Sequence, residues 1–307
     1  MSGKPAVESS VLCLGRTYCD LIFTGLEGLP ALGRELFATN LTVVPGGGAF
    51  ITATHLASLG RCVQLVTRVG TDPVSVALEE ALDSSGIGLE FVERASDAGP
   101  QMTVAIALEG DRAFLSHRAG HGRPASLPEA LMAPGVRHVH VAEYATLLEN
   151  PGIIQQAKER GLTVSLDPSW DETLIYGSDF LQKCHGVDVF LPNLEEGRAL
   201  ARSENLETIL SYLSGHFPLI VLKIGAEGGV LARGGDRISL AAPRVPVVDT
   251  TGAGDAFNAG FLHCWLEGRD DQSSLVAAIE VGSLSVQYAG GAARPRDALQ
   301  SVDYSVF

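Results

Sequence analysis

Asp249-Thr250-Thr251-Gly252-Ala253-Gly254-Asp255-Ala256-Phe257 is the segment whose residue types and spacing come closest to chemistry. Val247, Val248 and Asp249 read as the end of a β run. A loop of small residues follows, and a helix is expected from about Asp255 through Leu266. Phe257, Ala259, Phe261, Leu262 and Trp265 make that helix apolar nearly all round, the mark of a buried element. Its N-terminus offers unpaired N–H groups and the positive end of the helix dipole, a ready seat for an anion. Gly252, Ala253 and Gly254 have almost no side chain, so a phosphate could approach the backbone closely. Asp255 is then the odd residue, a carboxylate placed where an anion would be held. Two roles are open to it: capping the helix, as Asp commonly does, or taking the proton from a hydroxyl that attacks a phosphoryl group.

Such a site needs a scaffold, and the rest of the chain supplies one. Val11–Gly15, Val63–Val69, His138–Ala142, Leu162–Leu166, Val187–Leu191 and Leu219–Ile224 are short apolar runs that read as buried strands. Helical patterns separate them. One is expected to start at Asn150 as N-cap with Pro151 at its first position, and to stop at Gly161. This alternation predicts an α/β fold with a doubly wound, mostly parallel sheet. Ligands bind such sheets beyond the carboxyl ends of the strands, where Asp20, Asp167, Asn193 and Lys223 fall. Two regions break the pattern. Leu36–Val44 and Gln101–His117 read as strands without intervening helices, the second folding back at Glu109-Gly110-Asp111-Arg112. They predict a small sheet, with strands from about 20–44 and 101–117, projecting as a lid from a single domain spanning 1–307. Substrate on one side of that lid and a second copy of the chain on the other would account for its two apolar faces.

The segment around Asp255 resembles the C-terminal signature of the ribokinase-like (PfkB) carbohydrate kinases. Gly46-Gly47 before a helix ending at Leu59-Gly60, followed by Val69-Gly70-Thr71-Asp72, resembles the family's N-terminal signature. Asn193-Leu194-Glu195-Glu196 resembles its Asn-x-x-Glu motif, and Lys223-Ile224-Gly225-Ala226-Glu227-Gly228 its glycine turn beside the nucleotide. The resemblance covers nearly the whole chain and implies a ribokinase-like fold. It also implies an ATP-dependent kinase that phosphorylates the hydroxymethyl group of a sugar or nucleoside. Asp255 would then be the base, with Gly252, Ala253 and Gly254 as the anion hole. Asn193 and Glu196 would organise Mg2+ and its waters; without the resemblance, Glu196 reads as a solvated first-turn carboxylate. Asp20, which otherwise reads as a strand-end cap, would grip substrate hydroxyls, with Gly46, Gly47, Glu143 and Trp170 around the substrate. Lys223, Gly225, Gly228, Thr251 and Gly291 would border the nucleotide. Asp249–Thr251 and Ala289–Ala293 resemble the segments that hold a monovalent cation such as K+, although the latter glycines would equally serve a helix C-cap and turn.

Departures from the family pattern bear on the substrate. Ile51 stands where the family usually has Asn. Asp167-Pro168-Ser169-Trp170-Asp171 ends in a carboxylate where acid-sugar kinases have Arg, which counts against a sugar acid. Arg16, Arg34 and Arg112 are little positive charge for a substrate that already carries phosphate. Neutral sugars and nucleosides remain. Tyr18, Phe114, Tyr144 and Trp170 could stack on a base or fill the core.

Composition removes other classes. The 307 residues carry 22 Lys and Arg against 36 Asp and Glu, a net charge of −14, with no basic run; nucleic acid is not an expected partner. The longest uncharged stretch, ending at Gly60, is broken by Pro45-Gly46-Gly47-Gly48 and cannot be a spanning helix. The opening residues lack the apolar run of a signal peptide, and five scattered Cys without a Cys-x-x-Cys pair suit free thiols in the cytoplasm. A nicotinamide-dependent oxidoreductase would need Gly-x-Gly-x-x-Gly after the first strand, where Gly15-Arg16-Thr17-Tyr18-Cys19-Asp20 stands. His138 and His140 share a strand face without a third ligand at metal spacing and read as structural. A related fold that has lost catalysis and senses a sugar or serves in an assembly is the remaining alternative, with Ile51 and Ser169 as its support.

Overall fold

The computed structural model describes residues 10–108 and 111–292. The turn at Glu109-Gly110, the side chain of Arg112, Ala293 and most of the opening residues lie outside the described residues. The strands are β1 (Ser10–Leu14), β2 (Tyr18–Thr24), β3 (Asn40–Gly46), β4 (Val63–Val69), β5 (Val92–Arg94), β6 (Met102–Leu108), β7 (Asp111–His117), β8 (Val136–Val141), β9 (Thr163–Leu166), β10 (Val189–Phe190), β11 (Leu219–Lys223), β12 (Gly229–Arg233) and β13 (Asp236–Leu240). Nine of them form one sheet in the order β13-β12-β11-β10-β9-β8-β1-β4-β5. From β11 to β5 every pairing is parallel, and β12 and β13 close one edge antiparallel. Residues alternate between two buried layers, as a sheet covered on both faces requires. Leu12 and Leu14 face the helices Tyr144–Glu149, Ile153–Glu159, Leu194–Ala201 and Leu206–Ser214. Val11 and Cys13 face Gly48–Ser58, Ala253–Leu266 and Asp271–Ser285.

The expected lid exists as a second sheet, β3-β2-β6-β7. Register fixes its faces. Val43, Leu21, Val104 and Leu115 lie side by side across it, as do Leu41, Phe23, Ile106 and Ala113. That face is apolar and outward, with Leu41, Val43 and Leu115 all exposed. The opposite face carries Val44, Asp20, Thr103 and Ser116 in one row and Thr42, Ile22, Ala105 and Phe114 in the next. Asp20, Ile22 and Ala105 are buried, so this is the face turned to the main domain.

Two local expectations are corrected. Val247 and Val248 are exposed and form no strand; their segment is tied instead by the N–H groups of Val248 and Asp249, which both donate to the Val286 carbonyl. That carbonyl sits at the C-terminal cap of Asp271–Ser285, where helix acceptors lack partners. Asn150 does not start a helix. It ends Tyr144–Glu149, its Nδ2 donating to the Thr146 and Gly122 carbonyls, both at 2.8 Å, and the next helix begins at Ile153 after a left-handed Gly152.

Candidate active site

The carboxyl ends of β1, β8, β9, β10 and β11 open on one edge, and the residues that follow them build the site. The Ala253–Leu266 helix points its N-terminus at that edge. Its N-cap is Gly252, left-handed at φ 74°, a residue with no side chain to cap the helix. Asp255, in the first turn, is therefore not the cap. Its carboxylate is directed at the start of the Gly48–Ser58 helix, where a Cβ on Gly48 would lie 2.8 Å from Asp255 Oδ1. Thr52 of that helix donates its hydroxyl to the Asp255 carbonyl at 3.3 Å. The two helices thus bring the two signatures, distant in sequence, together.

Gly46 and Gly47 make the turn from β3 into Gly48–Ser58. Gly47 has φ 92°, and a side chain there would strike the Arg16 carbonyl. Gly46 lies against the Asp20 carboxylate, which leaves no room for a Cβ. Burial pushes the Asp20 carboxyl up to about 7, helped by the nearby charge of Asp249. Asp249 is buried, with Oδ1 accepting from the Thr251 N–H and Oδ2 from the Gly290 N–H, both at 2.9 Å. It joins the two segments that the family resemblance links to a monovalent ion, and no Lys or Arg pairs with it among the described residues. Gly291 is held from a third side, its carbonyl 2.9 Å from His55 Nε2.

Ile51 occupies the space beneath this junction. A Cβ on Gly252 would lie 3.0 Å from Ile51 Cγ2, and one on Gly291 would lie 2.6 Å from Ile51 Cδ1. The departure at position 51 is thus a packing residue under the glycines.

After β10, Asn193 caps Leu194–Ala201 with a reciprocal capping box. Glu196 N–H donates to Asn193 Oδ1 at 2.9 Å, and Asn193 N–H donates to Glu196 Oε2 at 2.7 Å. Glu196 is only 2 % exposed, which contradicts the solvated first-turn reading. Its carboxyl is pushed up to about 8, chiefly by burial and then by Asp167, while Lys223 and the Asn193 N–H oppose the shift. Among the described residues no three His, Cys, Asp or Glu side chains form a metal cage. A buried carboxylate near a helix N-terminus and without a cage fits Mg2+, which keeps its waters and uses one or two carboxylates together with substrate phosphates.

Lys223 ends β11, and the turn Gly225–Gly228 follows, with both glycines at positive φ and Ile224 N–H donating to the Gly228 carbonyl at 3.0 Å. The Lys223 ammonium donates to Asp167 Oδ2 at 2.6 Å and to Asn258 Oδ1 at 3.2 Å. Asn258 was beyond sequence reasoning; the one available signal is an amide on an otherwise apolar helix, one turn past Asp255.

Arg118 is the second residue that sequence reasoning missed. It leaves β7 at the lid's root and pairs with Asp171 at 3.2 Å and Glu143 at 3.9 Å. Glu143 is buried and accepts from the Arg16 N–H, and burial raises its carboxyl. Arg16 itself is spent on Glu149 and on the Ala119 and Gly120 carbonyls, so it offers no charge to a substrate. Asp171 has its charge met by Arg118, and burial of the group is outweighed by hydrogen bonds from Thr173 and Arg118 that lower its pKa. The repulsion expected of Asp171 toward a sugar acid therefore loses its basis. Trp170 is half-exposed and stands edge-on to Tyr176, lining a cavity of about 330 Å3 with Glu195, Arg198 and Arg202. Tyr144 is core, packed on Phe180, whereas Phe114 lies on the inner lid face. His138 bonds Thr163 and Ser165, and His140 bonds Ser165, as buried structural groups.

The architecture defines a class before any motif is weighed. The ribokinase of Arabidopsis thaliana, solved with ribose and ATP, superposes with a TM-score of 0.79 at 23 % identity, covering 95 % of this chain and 98 % of that one. The fold is ribokinase-like. Residues 8–298 match the pfkB family carbohydrate kinase model, and the chain belongs to that family. It is a carbohydrate or nucleoside kinase. An ATP-dependent ribose-1-phosphate kinase from Halopiger xanaduensis is 30 % identical over 295 residues, covering 93 % of this chain and 94 % of that protein. A ribokinase from Bacillus subtilis is 25 % identical over 293 residues, covering 90 % and 92 % respectively.

Proposed function

We propose that this protein transfers the terminal phosphoryl group of ATP to a hydroxymethyl oxygen of a neutral sugar or nucleoside, with Asp255 as general base. The observation that carries this reading is the helix start itself: Gly252 turns the chain without a side chain, and the Asp255 carboxylate lies against the start of the opposite helix at Gly48. The acceptor hydroxyl gives its proton to the Asp255 carboxylate as its oxygen bonds to phosphorus. The bond from phosphorus to the bridging oxygen breaks, and ADP leaves with that electron pair. The N–H groups of the first helical turn, unobstructed at Gly252, Ala253 and Gly254, meet charge on the phosphoryl oxygens. Thr251, the Gly225–Gly228 turn and Gly291 border the nucleotide.

Mg2+ would be held by Glu196 and Asn193 through water, supplying positive charge to the phosphates. A monovalent ion such as K+ would sit at the Asp249 carboxylate. Asp20 orients the substrate hydroxyls, with Gly46, Gly47, Glu143 and Trp170 bounding the sugar side and the inner lid face excluding water. A neutral substrate suits the charges there, because Arg118 is already met by Asp171 and Glu143. The Halopiger relative's name specifies a phosphorylated sugar, so sugar phosphates belong in any test panel.

The outward lid face suits a homodimer. Five free cysteines suit a reducing cytoplasm, and among the described residues no helix is long and apolar enough to cross a membrane. The test is Mg2+-dependent ATP consumption across neutral sugars, nucleosides, sugar acids and sugar phosphates. One neutral class should stimulate turnover, and Asp255→Asn should lower kcat by about 10²–10⁴-fold. Stimulation that persists in Asp255→Asn would remove Asp255 as base.

A further inference from the structure

Lys223 is more than a boundary of the nucleotide turn. Three elements meet at its ammonium: the end of β11, which carries it, the end of β9 with Asp167, and the second turn of Ala253–Leu266 with Asn258. Asp167 Oδ2 accepts from both Lys223 Nζ and Asn258 Nδ2, each at 2.6 Å, while Asn258 Oδ1 accepts from Lys223 at 3.2 Å. Asp167 Oδ1 is in turn fixed by the Ser169 N–H at 3.0 Å. The Lys223 side chain is 11 % exposed and that of Asp167 is 9 % exposed. An ammonium has three N–H donors. Two are placed by Asp167 and Asn258, and the third has no acceptor among the described residues.

The position of that third donor matters. A Cβ on Gly254 would lie 3.6 Å from Lys223 Nζ and from its Cδ. The lysine therefore packs against the first turn of the helix whose N–H groups form the anion seat. Gly254 and Asn258 are four residues apart, on one stripe of that helix, so clamp and seat share a rigid element. A residue merely neutralising Asp167 would not need to reach this turn.

We propose that Lys223 is a further catalytic residue, its ammonium contacting the terminal phosphoryl group of the nucleotide, with Asp167 and Asn258 as positioning residues that hold it there. The proposal rests on the kinase reading above. A lysine is a point charge suited to phosphate, and charge spreads over the equatorial oxygens of the transferring group. Gly254 lacks a side chain on the side where ammonium and phosphoryl must meet.

The test separates the terminal phosphate from the rest of the nucleotide. Equilibrium binding of ATP and ADP is measured with Mg2+ and no acceptor, for the wild-type chain, Lys223→Met and the double variant Lys223→Met/Asp167→Asn. The double variant removes the Asp167 charge together with its partner and serves if the single one fails to fold. Wild type is expected to prefer ATP over ADP by about tenfold or more, the scale of one charge-assisted contact. Both variants should lose that preference by weakening ATP alone. Lys223→Arg should restore part of it, and kcat of Lys223→Met should fall about 10²-fold or more. Equal weakening of ATP and ADP, or an unchanged preference, would overturn the role of Lys223 while leaving the kinase reading intact. Failure of the wild-type chain to bind either nucleotide would overturn both.

Discussion

Asp20, Glu143 and Glu196 are carboxyl groups that burial pushes toward protonation, and Asp20 is the one proposed above to orient a substrate hydroxyl. A carboxylate oxygen accepts hydrogen bonds, whereas the protonated acid spends one oxygen as a donor. With its pKa at about 7 in the fold, Asp20 is largely neutral below that pH. The kcat/KM for the acceptor should therefore rise through an inflection near pH 7, and Asp20→Asn should remove the inflection and lower kcat/KM about tenfold or more. The same shift acts on stability with the opposite sense. The ionised form is disfavoured in the fold, so the penalty is absent below the ordinary carboxylate range near pH 4 and grows as pH rises toward 7. Denaturant titrations at pH 5 and pH 8 should show that Asp20→Asn gains stability relative to wild type mainly at the higher pH. An effect equal at both pH values would contradict the assigned shift.

At the scale of elements, the junction between the start of Ala253–Leu266 and the loop at Gly291 allows little tolerance. Gly252 must hold φ 74°, and a Cβ there would come 2.6 Å from Gly291 Cα, a backbone atom that cannot rotate away. Gly252→Ala should cost about 1–3 kcal/mol of stability through backbone strain. On the proposed mechanism it should lower kcat more than about 10²-fold, since it displaces the N–H groups assigned to the phosphoryl oxygens. Thermal melting and steady-state kinetics check the two parts separately. Ile51→Ala, by contrast, removes packing under both glycines and leaves their backbone torsions attainable. It should cost about 2–4 kcal/mol with a smaller effect on kcat. A collapse of kcat in Ile51→Ala greater than that in Gly252→Ala would reverse this assignment.

At the scale of the whole molecule, the small sheet has an inner face turned to the main domain and an outer face that is apolar across both registered rows. Leu115 is 73 % exposed, and the outer row pairs it through Val104 and Leu21 with Val43. An apolar sheet face of that continuity predicts self-association. Light scattering at about 10 µM should give a dimer, and Val43→Glu/Leu115→Glu should give a monomer that keeps its secondary structure. A monomeric wild type would remove the dimer.

The parallel sheet, the lid and the two glycine signatures are legible in the sequence because each rests on local chemistry. Buried strands such as Leu219–Lys223 are apolar runs up to their last residue, Met102–Leu108 alternates, and Gly47 and Gly252 stand where left-handed backbone is needed. Edge strands are less legible: β12 and β13 are found in the structure, although Gly234-Gly235 between two short runs marks their hairpin. Val247-Val248 illustrates the converse, since apolar type predicts a strand only where a neighbouring strand exists to pair with it. The residue types at the site were likewise fixed by the chain itself: Asp255 one turn into a helix with a small-residue start, and Asn193 with Glu196 at capping-box spacing. Tertiary structure alone decided how those groups are used. That the Asp255 carboxylate lies against a second helix depends on Gly48, about two hundred residues away. Whether Asp171 is a free charge depends on Arg118, and where the Lys223 ammonium points depends on Asp167 and Asn258. Charges and hydrogen bonds act over a few ångströms of space, and sequence spacing carries no measure of that distance between elements.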